Sequence, residues 1–204
     1  MKKVLEIGGF IAGAVLVVFG VAVIVLGVNG RSTVNSSLNA EKIVGSEDMT
    51  PALIKVAATD SGLTNVSLPS CSVAGKSIDT GSEARCFAQY MRIHALEATG
   101  GLVYAEMPRY ATDDGKGTND AAKASKGPSG RPLDNAARQV WITETALSTA
   151  LNVSYMADQL ALFSLVVGIA LLLTGVGFII LAAGGALRRT TAAAAPRPEV
   201  APAS

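Results

Sequence analysis

The sequence predicts an all-α membrane protein. It reads as a two-span antiparallel transmembrane hairpin with a mainly helical, single-disulfide extracytoplasmic domain, in which the second span continues outward as a long stem helix. Three observations predict this. The 204-residue chain is half hydrophobic and only 16% charged, and its mean hydropathy is +0.40, which is too apolar for an ordinary soluble domain. It holds two charge-free apolar runs of bilayer-crossing length. Basic residues flank those runs at the two ends of the chain.

The first run, Ile7 to Val28, has 22 residues and as a helix covers roughly 33 Å, against ~30 Å of hydrocarbon. It exceeds the ~7–15 residues of a cleavable signal's apolar core, and "LGVNGRST" offers no Ala-x-Ala site, so a retained anchor is expected. The second run, about Leu160 to Ala183, is also uncharged, and its helix is expected to reach about 187. Lys2 and Lys3 precede the first run, and Arg188, Arg189 and Arg197 follow the second. The positive-inside rule places residues 1–6 and 188–204 in the cytoplasm and 29–159 outside. The outer segment carries 12 Lys/Arg against 14 Asp/Glu, as a solvated domain would.

Within it, residues 29–49 open on Asn29-Gly30 and are polar with short apolar clusters at Val34/Leu38 and Ile43/Val44, and they read as a loop with at most one short element. In "MTPALIKVAATDSGL", Thr50 is a natural N-cap, Pro51 fits the first helical position and Gly62 a stop, predicting a helix over about 51–60 with Leu53, Ile54, Val56 and Ala57 on its apolar side. Thr80 and Glu83 have capping-box spacing and Gly100–Gly101 ends the run, predicting a helix over about 81–99 with Phe87, Tyr90, Met91, Ile93 and Leu96 inward. "GLVYAEM" has β character but is short. Residues 111–132 are rich in Gly, Ser, Lys and Asp and read as a flexible linker. From Asp134, a plausible cap, no Gly or Pro occurs until Gly168, predicting one helix over about 135–187 with Val140, Trp141, Leu147, Leu151, Tyr155 and Met156 as its stripe. The Ala/Pro-rich tail 188–204 reads as disordered.

The stretches "EKIVGSEDMTP", "CSVAGKSIDTGSEARCFAQYMRIHALEATGG" and "VWITETALSTALNVSYMADQLALFSLVVGIALLLTGVGF" resemble a group of small two-span actinobacterial membrane proteins. The resemblance implies the topology and a cell-envelope setting, and brings no activity or catalytic residue with it.

Cys71 and Cys86 both fall in the outer segment, where thiols meet an oxidising environment, and a structural disulfide is expected. A reactive Cys86 near a helix start is the alternative. His94, the only histidine, shares a helix face with Tyr90 and Glu97, yet no nucleophile elbow accompanies it. Asp113, Asp114, Asn119 and Asp120 have the flavour of a calcium loop without its spacing. No catalytic, cofactor-binding or metal residues are therefore assigned. The net charge of +1 and 5% aromatic content give nucleic acid no surface.

The spans do carry small residues every seven positions: Gly13, Gly20 and Gly27 in the first, Ala161, Gly168, Gly175 and Ala182 in the second. In lipid no hydrophobic drive joins helices, so small residues that admit close backbone approach become the interface. A seven-residue period is that of a left-handed crossing. The two stripes are expected to pack on each other within one chain, with pairing between subunits as the alternative.

The expected function is a non-enzymatic scaffold or accessory subunit of the cell envelope. Its partners are the lipid bilayer and another membrane or envelope protein, and a homo-oligomer is compatible with the spans. A small homo-oligomeric channel or transporter accessory subunit is the alternative, and an envelope lipid or cell-wall enzyme using His94 a distant third.

Overall fold

In a computed structural model of the chain, residues 2–184 are described; the expected helix end near 187 and the tail 188–204 lie outside them. Four helices follow one another: α1 Lys2–Glu41, α2 Pro51–Asp60, α3 Gly81–Ala98 and α4 Ala136–Ala183. The described residues contain isolated β-bridges but no strand, and "GLVYAEM" forms turns. α1 and α4 are long and apolar enough to cross a membrane. The chain divides into two compact units, Met1–Leu26 with Ser164–Ser204, and Gly27–Phe163.

In the first unit the described parts of α1 and α4 lie against each other in antiparallel register. Gly13 faces Gly175, and Gly20 faces Gly168. Large apolar side chains such as Val18, Phe19, Leu173 and Ile180 point outward.

In the second unit α2 and α3 are built as their caps dictate. The Thr50 hydroxyl accepts from the Leu53 amide, and Pro51 fills the first position. α2 closes in a Schellman arrangement, with the Gly62 amide donating to Thr59 and the Leu63 amide to Ala58. Gly62 takes φ +69°, a region that disfavours side chains. Thr80 and Glu83 complete their capping box around the start of α3, which ends in the same way at Gly100. α2 buries Ile54 and Ala58, while Leu53 and Val56 stay exposed, so only part of the expected apolar side faces inward.

Residues 29–41 continue α1 through Asn29-Gly30 and are not a loop. Tertiary packing overrides the weak helix propensity of this stretch: Leu38 is buried in the main core, Val34 packs against it, and Gly30 lets α1 approach Ala161. Side chains also support the turns, Thr33 donating to the Asn29 carbonyl and Asn39 to that of Asn35. Residues 111–132, expected as a flexible linker, form a hydrogen-bonded web. Tyr110 and Thr118 exchange both backbone bonds, Ala111 donates to Leu133, Leu133 to Ser125 and Ser125 back to Ala111.

The main core gathers Leu38, Met49, Ile54, Val73, Ile78, Tyr90, Ile93 and Leu151. A satellite core holds Ala95, Leu96, Met107 and Trp141. Asn135, not Asp134, caps α4: its Oδ1 accepts from the Ala137 amide while its Nδ2 donates to the Pro108 carbonyl.

Candidate functional site

The heptad glycines are placed for helix contact. A Cβ added at Gly13 would stand 2.7 Å from the Gly175 carbonyl oxygen, and one at Gly20 2.7 Å from the Leu172 amide nitrogen. The reverse holds at Gly168, 2.9 Å from the Gly20 oxygen, and at Gly175, 2.7 Å from the Gly13 oxygen. Backbone meets backbone there, which only glycine permits. Ala182 is buried in the same unit, and Gly27 and Ala161 are buried in the second.

Cys71 and Cys86 are bonded, with Cα atoms 6.1 Å apart. Cys86 lies in the second turn of α3, so the bridge ties the preceding loop to that helix. Tyr90, fully buried, donates from its hydroxyl to the Cys71 carbonyl at 2.6 Å, and burial pushes its phenol up from the usual range. Tyr90 therefore turns away from His94. The two ring nitrogens of His94 face carboxylates, Nδ1 at 2.9 Å from Glu97 and Nε2 at 3.3 Å from Asp48. The expected grouping of Tyr90, His94 and Glu97 reduces to His94 and Glu97.

The acidic loop residues do not converge. Asn119 accepts from the Arg109 amide and Asp120 from the Ala122 amide, while Asp113 pairs with the Ser125 hydroxyl. Asp114 is held below the usual carboxylate range by the Thr112 hydroxyl and the Lys116 amide. Among the described residues no three His, Cys, Asp or Glu are grouped to hold a metal ion.

Two buried acids went unread in the sequence. On α4, Glu144 and Asp158 lie fourteen positions apart with buried Leu151 midway, so all three share one face. Val140, Leu147 and Met156, expected on that stripe, are exposed instead. Asp158 accepts from Arg31 of α1 at 3.0 Å. Glu144 pairs with Arg92 of α3 at 3.4 Å and accepts from the Ser148 hydroxyl at 2.8 Å. The Arg92 guanidinium also lies 3.9 Å from the centre of the Trp141 ring. Buried charges persist only when paired, so these contacts fix which helix meets α4 and at what height. The acid–Leu–acid heptad was the available signal.

Between the C-terminal end of α1, α3 and α4 opens a cleft of about 630 Å³. Leu38, Ile43, Phe87, Met91, Leu147 and Leu151 line it, with Ser37, Glu41 and Ser154 among the polar residues of its lining. Its size is that of a ligand or side-chain pocket. The chain matches no protein-family model, no curated protein and no solved structure.

Proposed function

We propose that the chain is a two-span protein of the cytoplasmic membrane, with both termini inside, and that it serves as a non-enzymatic scaffold or accessory subunit in the cell envelope. Its second unit would hold apolar side chains of another envelope protein in the cleft between α1, α3 and α4. The membrane part of this reading is supported by the length and composition of α1 and α4 and by the basic residues at Lys2, Lys3, Arg188 and Arg189. The observation that carries the docking part is the cleft itself, lined mainly by apolar side chains that α1, α3 and α4 bring together.

The test is a photo-crosslinking side chain placed at Leu147 or Met91 in cells. One discrete protein adduct, lost on Leu147→Asp, is the expected result. Capture of lipid alone, or a conducting homo-oligomer from the purified chain, would overturn the reading. Orientation is checked separately: a periplasm-dependent reporter fused after Arg189 should stay inactive.

A further inference from the structure

Opposite its buried face, α4 carries a second apolar stripe. The buried positions are Glu144, Leu151 and Asp158; two residues to either side of them, and so on the back of the helix, lie Ile142, Ala146, Thr149, Val153 and Met156. Their spacing is four, three, four and three, the knobs-into-holes pattern of a left-handed helix pair. All five are exposed, Ile142, Val153 and Met156 at between 45% and 64%. The spacing runs on in the sequence through Leu160, Phe163 and Val167.

A helix facing water keeps its outer side polar. Lipid does not account for this stripe. α1 runs antiparallel beside α4, with Arg31 paired to Asp158 and Leu38 sharing a cleft with Leu151. Level with Val153 and Met156, α1 therefore presents Ser32, Thr33, Ser36 and Ser37, and level with Thr149 it ends in Asn39, Ala40 and Glu41, all exposed. Hydroxyls of that density mark an aqueous level. The stripe needs a protein cover there.

We infer that this cover is the α4 stripe of a second copy of the chain, making a parallel homodimer about a twofold axis. Copies inserted in one membrane share one orientation, so their α4 helices can pair only in parallel, each residue meeting its own counterpart. Such pairing fails where like charges flank the seam. The flanking positions here are Thr143 and Ala150 on one side and Thr145, Asn152 and Gln159 on the other. None is charged, and the amides and hydroxyls can bond across the axis. A shallow hollow of about 530 Å³ beside Ile142, lined also by Tyr104, Trp141, Thr145, Ala146 and Thr149, would take side chains of the second helix at that end of the stripe.

The inference rests on the membrane placement proposed above only for the parallel orientation, which the reporter fusion tests independently. The experiment is disulfide trapping of the full chain in native membranes. The native cysteines are bonded to each other, so an introduced cysteine is the free thiol. Thr149→Cys and Val153→Cys should give a covalent homodimer on mild oxidation, at least tenfold above Val56→Cys, an exposed position on α2. Adding Val153→Glu, which sets like charges face to face, should cut trapping at Thr149→Cys at least tenfold. Trapping no greater than at Val56→Cys, trapping to a different protein, or indifference to Val153→Glu would each overturn the homodimer.

Discussion

Arg31 Nε lies 3.0 Å from an Asp158 side chain that is only 6% exposed, while the Arg31 side chain as a whole is 44% exposed. The start of α3 closes over the same acid, since a Cβ on Gly81 would stand 2.6 Å from the Asp158 Cβ. Removing the arginine leaves an acid that water reaches poorly. Arg31→Leu should therefore destabilise the protein by roughly 1–3 kcal/mol, with the partial exposure of the arginine holding the figure below that for a fully buried pair. Arg31→Leu with Asp158→Leu together should cost less than Arg31→Leu alone. Unfolding in a denaturing detergent titration reads these and Asp158→Leu alone, and a double loss equal to the sum of the two single losses would show that the pair is not coupled.

The glycine contacts make a prediction with an internal control. At Gly20 and Gly175 an added methyl meets backbone atoms, so Gly20→Ala or Gly175→Ala should cost about 1–3 kcal/mol, as overpacking does. Gly177 stands on the same helix with nothing within 4 Å of its would-be Cβ. Gly177→Ala should leave stability within about 0.5 kcal/mol of the parent, as surface changes do. Thermal unfolding of the three variants in one mild detergent decides this. Similar losses at all three would remove close approach as the reason for the glycines.

The disulfide has a measurable share. Cys71 and Cys86 are 15 positions apart, and closing a loop of that length stabilises by about 3 kcal/mol in the chain-entropy description. The double change Cys71→Ser, Cys86→Ser should lose that amount. Tyr90→Phe, which leaves the part-buried Cys71 carbonyl without this donor, should lose about 1 kcal/mol with the bridge intact.

At the start of α3, two acids respond oppositely to pH. Burial works against the Glu83 charge, but hydrogen bonds from the Thr80 hydroxyl and the Asp79 and Thr80 amides outweigh it and hold the carboxyl below its ordinary 4.5. Its stabilising share is full above that value and is lost as pH falls through the lower folded value. Asp79 is pushed above its ordinary 3.8, first by its side-chain hydrogen bond with Glu83 and then by the like charge. Its charged form is thus unfavourable in the fold, and the penalty is relieved as pH falls through the raised value. Glu83→Gln should lower stability at pH 7 and flatten its acid dependence. Asp79→Asn should raise stability at pH 7 and leave it unchanged at pH 2. Unfolding midpoints from pH 2 to 7 check both signs.

The parts of this fold that were legible in sequence are those that local chemistry decides. Thr50, Pro51, Thr80 and Glu83 mark helix starts, Gly62 and Gly100 mark helix ends, and the structure places the boundaries there. The seven-residue glycine spacing was equally readable, because close approach admits few residue types. What stayed hidden depends on partners far along the chain. Residues 29–41 look like a loop until Leu38 meets the core beside Leu151. Residues 111–132 look mobile because their order comes from backbone bonds among Ala111, Ser125 and Leu133, which composition does not record. The cleft was hidden for the same reason: Leu38, Phe87 and Leu147 come from three helices.

The seam between the apolar helices is also a ruler. Adding one residue between Gly13 and Gly20 would turn Gly20 by about 100° around α1 and swing a bulky side chain toward Leu172. Only a seven-residue change keeps both glycines on the contact line. Relatives of this protein should therefore conserve the spacing of Gly13 to Gly20 and Gly168 to Gly175 even where the intervening residues have changed.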